Sequence, residues 1–458
     1  MIKTDVLVIG GGIVGAGIFR ELALHQASVI LIDKYDFCSQ TSQGSSKMLH
    51  GGLRYLETFD FSLVEEALEE KNLWLKMAPH LTYEALFHLP VYKLSKYPLP
   101  FVELGLALYD TLSHFRNKPH SKANKQLTLS RFPELNPKGL RGAGIYHDGI
   151  VDDHKLGLEC IYDGLLEKKS SAFNHHELVE VRYSREGVKS LVRDRFTNEI
   201  KEIFSRFIIF ATGPFTDQLL DSLSIPWSPQ LLPSKGVHLW LKKESLNLWG
   251  PLLLNLKDGR VLFVIPQREA ILVGTTETPV REQFENIQAS PDDIQYLLNA
   301  IKDFFPSSMV KDSDILSTTA AIRPLVRDGS GQLGKASRFH KIYQPQSQTY
   351  VILGGKYTTF RRMAQDLNKK LIPRLNLPYS SQLTLNPLRQ ISVSQTFNQE
   401  ILSEDLMKKI ILSEMPKTWD DFFHRRLSQI DQHSTCLWGK SIKDWKLFFQ
   451  TTIDKKNH

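Results

Sequence analysis

The chain opens on a short apolar run, Lys3 to Ile9, that contains β-branched residues and leads directly into Gly10-Gly11-Gly12-Ile13-Val14-Gly15. Beyond the glycines, Ile18, Leu22 and Leu24 recur at helical spacing, and a second apolar run, Ser28 to Ile32, ends in Asp33. The pattern predicts strand, turn, helix and strand. Phe207 to Phe210 reads as another buried strand. Val237 to Leu241, Val261 to Ile265 and Ala270 to Val273 read as short, partly alternating strands of a mostly antiparallel sheet. Phe101, Leu104, Leu108, Leu112 and Phe115 fall on one helical face. The Pro-containing stretch Leu371 to Pro387 reads as a linker to a small helical tail that includes Leu406 to Arg426. No internal repeat or low-complexity tract interrupts these elements.

Composition adds constraints. With 458 residues, 41% of them apolar and 23% charged, the chain can bury a large core and is neither disordered nor collagen-like. No apolar run approaches the roughly 18 to 20 residues that span a bilayer. The N-terminal Met1 to Asp5 leaves no room for a signal peptide before the first strand, so export is not expected. Cys38, Cys160 and Cys436 are odd in number, widely separated and in no metal-ligand spacing, which points to a reducing compartment and no structural zinc. The 57 Lys and Arg exceed the 50 Asp and Glu by 7, a basic balance compatible with an anionic partner or simply with a solvated surface.

The glycine segment carries the first chemistry. Gly10 makes a tight turn, Gly12 lets the backbone approach a pyrophosphate, and Gly15 lets helix and strand pack closely, with the helix N-terminus facing the phosphates. Asp33 stands where a carboxylate accepts hydrogen bonds from an adenosine ribose. A Rossmann-like dinucleotide-binding unit within an α/β fold follows; spacing alone leaves NAD and FAD both open.

Downstream segments are more specific. Ser45-Ser46-Lys47-Met48-Leu49-His50-Gly51-Gly52-Leu53-Arg54-Tyr55-Leu56-Glu57 resembles the signature of the FAD-dependent glycerol-3-phosphate dehydrogenases, aerobic and quinone-linked. Lys235-Gly236-Val237-His238, Gly274-Thr275-Thr276, Ile322-Arg323-Pro324-Leu325 and Gly354-Gly355-Lys356-Tyr357-Thr358-Thr359-Phe360-Arg361 resemble the same family in the same order. Ala211-Thr212-Gly213 resembles a motif that returns to the cofactor in many FAD proteins. Two positions depart from the family pattern: Glu277 replaces the usual Asp, and Phe360 the usual Tyr, which removes a hydroxyl. The tail is shorter than the helical domain usual there.

The resemblance implies a discontinuous FAD-binding domain (1–85, 141–225, 310–375), a mixed-sheet substrate domain (86–140, 226–309) and a truncated helical C-terminal domain (388–458). It implies non-covalent FAD, oxidation of sn-glycerol 3-phosphate to dihydroxyacetone phosphate, and electron delivery to membrane quinone. Gly10, Gly12, Gly15, Asp33, Ala211, Thr212 and Gly213 are then cofactor-binding. Ser45, Ser46 and Lys47 are expected to contact FAD phosphate or ring, helped by Thr41 and Ser42. Arg323 and Arg54 would orient the substrate, and Lys356 would add positive potential near substrate or flavin. His50 and His238 are the candidate bases, His50 first and His238 in reserve, imidazole being the side chain that titrates nearest neutrality. His175, His176 and His424 read as structural, and no metal is expected.

An oxidase using oxygen, an amine or amino-acid oxidase of similar fold, and a non-catalytic flavoprotein are the competing readings. Nucleic-acid binding is disfavoured by dispersed basic residues and the absence of a recognisable motif. A quinone acceptor implies peripheral attachment to the cytoplasmic face of an anionic membrane. The Phe101 to Phe115 face, flanked by Lys93, Lys96, Arg116 and Lys118, is the candidate surface. Because the cofactor motifs precede Arg362, residues after Pro387 are expected to be dispensable for FAD binding.

Overall fold

The computed structural model describes residues 1–280, 284–327, 339–389, 402–427 and 441–456. These form two compact units, the first from Met1–Gln43, Asp152–Pro233 and Arg323–His458, the second from Gly44–Val151 and Ser234–Ile322.

The first unit is built on a sheet in which β1 (Ile2–Ile9), β2 (Val29–Ile32), β7 (Ser170–Phe173), β10 (Ile200–Phe210) and β18 (Thr349–Gly354) run parallel in the order β18-β10-β1-β2-β7. β17 (His340–Gln346) closes one edge antiparallel to β18, while β8 (His176–Tyr183) and β9 (Val188–Asp194) extend from β10 as a hairpin. Every residue of β2 is buried, as expected of a parallel strand covered on both faces. Helix α1 (Ile13–Leu24) is buried along most of its length between α5 (Asp153–Leu165) and α8 (Phe360–Leu371). Close approach needs small residues here: a Cβ on Gly17 would lie 2.8 Å from the Phe360 ring, and one on Gly164 2.7 Å from Phe19. The buried Phe360 ring thus serves helix packing.

The second unit holds β3 (Met48–Leu49), β4 (Thr82–Tyr92), β5 (Ser121–Asn124), β6 (Leu140–Val151), β11 (Ser234–Lys242), β12 (Leu252–Asn255), β13 (Val261–Pro266), β14 (Ala270–Gly274), β15 (Thr278–Pro279) and β16 (Ile315–Arg323). Their main path is β15-β11-β14-β13-β12-β4-β6-β3, with β16 on β11 and β5 on β6. Alternate residues of β11 to β14 feed two different cores. Leu239, Leu241, Leu254, Val264 and Val273 pack with Leu297 and Ile301 of α7 (Pro291–Phe304). Trp240, Leu253, Ile265 and Leu272 pack with Val64 and Leu68 of α2 (Phe61–Met77) and Leu106 and Tyr109 of α3 (Leu99–Leu112). Burial on both faces explains why these strands alternate so weakly in sequence. Each large aliphatic side chain so buried contributes about 1.5–3 kcal/mol. Short α4 (Lys125–Arg131) lies in this unit and α6 (Thr216–Ser222) in the first.

Several expected boundaries shift. Residues 44–85 and 141–151 belong to the second unit because β4 pairs with β6 along nearly its whole length, and β6 also pairs with β3. Residues 310–322 join it through β16, whereas 226–233 join the first unit, where Leu231 bridges Val326 and the Leu232 amide donates to the Leu325 carbonyl. The stretch Leu371 to Pro387 is a strap over α1 rather than a linker: Arg20 donates to the carbonyls of Thr384 and Asn386, and His25 stacks on Tyr379. The tail has its own small core around Met407 of α9 (Glu404–Ser413), Phe422, Trp445 and Phe449, yet clusters with the first unit.

Candidate functional site

In the first unit, the motif loops lie at the carboxyl ends of neighbouring parallel strands, where an open α/β sheet binds its ligands. Gly10 to Gly12 follow β1, Asp33 follows β2, Ala211 to Gly213 follow β10, and Gly354 to Lys356 follow β18. Gly10 has φ +100° and its missing Cβ would lie 2.6 Å from the Ala211 carbonyl oxygen, so the Ala-Thr-Gly segment backs the first turn directly. A Cβ on Gly15 would stand 1.8 Å from the Gly10 carbonyl oxygen. That position tolerates no side chain. Gly12 caps α1, and the first helical amide, of Ile13, donates to Ser42 Oγ at 2.9 Å. Ser42 follows Thr41 in a 3-10 turn.

Asp33 accepts from the Gly11 amide at 2.6 Å and the Tyr35 amide at 2.7 Å. Burial pushes its carboxyl up to about 6, against the pull of those two amides. It therefore also holds the glycine loop. Thr212 bonds to Thr216, and Gly213 sits at φ +52° with open space where a Cβ would point. Consecutive left-handed residues Gly354 and Gly355 turn the chain into Lys356, which caps the Tyr357–Thr359 turn.

In the second unit, β11 places His238 in register with Gly274 of β14. A Cβ on Gly274 would lie 2.2 Å from the imidazole, so the glycine makes room for the ring. His238 is 2% exposed, and its Nε2 lies 2.9 Å from Ser46 Oγ. Ser46 stands two residues before β3, at the far end of the strand path from β11, so the sheet curls until its ends approach. The Lys47 amide donates to Ser45 Oγ, and Lys47 itself is left-handed and buried.

After β3 come His50, buried Gly51 and left-handed Gly52, then the 3-10 turn Leu53–Thr58 with exposed Arg54. The Gly51 amide donates to Tyr109 Oη at 2.8 Å, and that hydroxyl donates to the buried Asp148 carboxylate. Lys235, at the start of the same strand as His238, pairs with Asp293 at 2.6 Å, and Asp293 also closes the capping box of α7 with Ser290.

The residues inferred from sequence thus fall into groups. Gly10, Gly12, Gly15, Asp33, Thr41, Ser42, Ala211, Thr212 and Gly213 gather around the β1 loop of the first unit, with Lys356 two strands along the sheet. Ser45, Ser46, Lys47, His50, Arg54 and His238 belong to the second, and Arg323 ends β16 at the boundary in sequence. Sequence reasoning missed Tyr109, Asp148 and Asp36, whose partners are far away along the chain. His175, read as structural, meets a carboxylate, Asp421, at 2.9 Å. Cys38 and Cys160 are buried free thiols, and Cys436 lies outside the described residues.

Residues 5–358 match the family model for FAD dependent oxidoreductases. Aerobic glycerol-3-phosphate dehydrogenase of Staphylococcus aureus is 34% identical over 393 residues, covering 84% of this chain and 69% of that one. Among solved structures, the glycerol-3-phosphate dehydrogenase from Bacillus halodurans complexed with FAD superposes with a TM-score of 0.77 at 23% identity, covering 99% of this chain and 90% of that one. L-alpha-glycerophosphate oxidase from Mycoplasma pneumoniae with FAD bound gives 0.66 at 18% identity, over 85% of this chain and 100% of that one. The cofactor is FAD, and the glycine loop fits it: Gly10 and Gly15 admit no Cβ against the Ala211 and Gly10 carbonyls, so the turn and helix pack closely, and Gly12 caps α1, whose N-terminus is the kind of surface that receives a pyrophosphate. The chain belongs to the FAD-dependent oxidoreductase family, within which it is similar to the aerobic glycerol-3-phosphate dehydrogenases.

Proposed function

We propose that this protein oxidises sn-glycerol 3-phosphate to dihydroxyacetone phosphate and passes the electrons to a membrane quinone. The observation that carries the reading is the 34% identity, over most of the chain, to a protein named as an aerobic glycerol-3-phosphate dehydrogenase. Bound FAD supplies the two-electron acceptor for the hydride leaving the carbinol carbon. The chain's own residues have three tasks.

Gly10, Gly12, Gly15, Asp33, Ser42 and Ala211 to Gly213 hold the cofactor, with Thr41, Ser45, Ser46 and Lys47 as further contacts. Arg323 and Arg54 orient the phosphate, which carries nearly two charges and favours planar guanidinium donors, and Lys356 adds positive potential. An imidazole takes the hydroxyl proton. Of the two candidates, His238 has a hydroxyl, Ser46 Oγ, on Nε2 that orients the ring, while His50 precedes the Gly51-Gly52 turn held by Tyr109.

For the acceptor, no helix among the described residues is long and apolar enough to cross a membrane. Attachment is therefore assigned to a surface. On α3, Leu104 is 65% exposed, Phe101 and Leu108 share its outer side, and Phe115 beyond the helix is exposed too. Leu112, expected on this face, instead packs partly buried against the core with Leu106 and Tyr109. Lys93, Lys96, Arg116 and Lys118 flank the face, and each basic group near an anionic surface contributes on the order of 1 kcal/mol. The fold likeness to a glycerophosphate oxidase favours oxygen as the second reading.

Anaerobic mixing with glycerol 3-phosphate should bleach the flavin absorbance; an unbleached flavin refutes the substrate. Reduction of a quinone analogue with little peroxide supports the quinone, and rapid peroxide without quinone reduction moves the assignment to the oxidase. Flotation with anionic liposomes should be lost in Leu104→Glu/Leu108→Glu.

A further inference from the structure

The segment that follows β2 touches the glycine loop twice. Asp33 accepts from the Gly11 amide, and further on the Cys38 amide donates to the Gly11 carbonyl at 3.0 Å while the Phe37 ring fills the space of a Gly11 Cβ. Between these contacts lies Asp36, 1% exposed. Its Oδ2 accepts from Arg425 Nε at 2.5 Å and Arg426 Nη1 at 2.6 Å, and its Oδ1 accepts from Arg426 Nη2 at 3.0 Å and Asn174 Nδ2 at 2.7 Å. Both guanidiniums come from the tail, 389 and 390 residues along the chain.

The guanidiniums are themselves fixed. Arg426 Nε donates to the Glu414 carbonyl at 2.7 Å, and Arg425 Nη2 donates to Asp421 Oδ1 at 2.7 Å. Asp421 Oδ2 accepts from the Lys417 and Thr418 amides and bonds to His175 Nε2. Tyr162 Oη donates to the Glu414 carbonyl, and Asn174 Nδ2 to the Met415 carbonyl, so α5 and the residues between β7 and β8 anchor the same segment. Asp36, His175 and Asp421 cluster as a cation would require, but Arg425 and Arg426 already supply the positive charge.

We propose that residues 414–427 are a positioning element of the FAD site, in which Arg425 and Arg426 clamp the Asp36 carboxylate and so hold the 33–38 loop against Gly11. A buried carboxylate that loses its cations must regain water or a proton. Asp33, itself buried and three residues away, sharpens that demand. The available relaxation is for the loop to open, taking Phe37 and Cys38 off the backbone that meets the pyrophosphate. The tail is thus needed for tight FAD binding, contrary to the expectation from motif positions.

The test uses full-length holoenzyme and no turnover: FAD release after dilution, read as recovery of free-flavin fluorescence, alongside the thermal midpoint. Losing one partner of a buried ion pair should speed release roughly tenfold or more in Arg426→Gln, and roughly threefold in Arg425→Gln, where the Arg426 fork remains. Asp36→Asn/Arg426→Gln, which removes the stranded charge, should return release to within about threefold of wild type. If both single variants lower the thermal midpoint but release FAD at the wild-type rate, the segment is merely structural and the proposal fails. A double variant as leaky as Arg426→Gln also overturns it. Should Arg426→Gln not fold, Arg425→Gln and Arg426→Lys decide by the same comparison.

Discussion

His238 Nε2 and Ser46 Oγ meet at 2.9 Å across 192 residues of sequence. The hydroxyl fixes the direction of a buried ring that Gly274 leaves room for, and in the proposed reaction that orientation would suit His238 to take a proton. His238→Asn should slow anaerobic flavin reduction by roughly 10² to 10⁴ while FAD stays bound. Ser46→Ala should cost less, about fivefold, since one neutral hydrogen bond contributes about 1 kcal/mol and the ring remains. Stopped-flow bleaching measures both. A normal rate in His238→Asn transfers the base to His50.

Arg323→Ala should impair turnover of glycerol 3-phosphate far more than turnover of glycerol. A charge-assisted contact contributes about 1.5 to 3 kcal/mol, so the discrimination in kcat/KM should fall by roughly ten- to a hundredfold. Arg323→Lys should restore only part of it, because the ammonium lacks the planar fork. Equal losses on charged and uncharged substrates would assign Arg323 to structure.

Tyr109→Phe removes the hydroxyl that accepts from Gly51 and donates to Asp148. It leaves a buried amide and a buried carboxylate each short of a partner, at a cost of about 2 kcal/mol or more. The denaturant midpoint should fall with little change in its slope. Because the same loop carries His50 and Arg54, flavin reduction should slow as well.

Glu21, buried on α1, has its carboxyl pushed up to about 8 by burial, against the pull of the Arg361 guanidinium, the Asn368 amide and the Arg20 guanidinium. Its folded value lies above its unfolded one near 4.5. Its favourable contribution is therefore complete below pH 4.5 and lost as pH rises through 8. Glu21→Gln should leave stability unchanged near pH 4.5 and raise it at pH 9 by up to about 5 kcal/mol. Chemical denaturation at the two pH values checks this; equal effects at both would mean that Glu21 does not titrate in the folded protein.

The sequence by itself determined what is local or periodic. The strand, glycine loop, helix and acidic strand end from Lys3 to Asp33 were legible because each conformational demand, at Gly10, Gly12 and Gly15, falls within one continuous segment. The helical spacing of Phe101, Leu104 and Leu108 likewise marked a helix with an exposed apolar side. What lies across from each element was decided only by the tertiary structure. A run such as Val237 to Leu241 records that both faces are buried, but not that Leu239 meets α7 while Trp240 meets α2 and α3. β4 chooses β6, which carries 44–85 out of the expected cofactor domain. The Ser46–His238 and Asp36–Arg426 contacts join segments with no shared local pattern, because a polar side chain's partner is set by where the folded backbone delivers it.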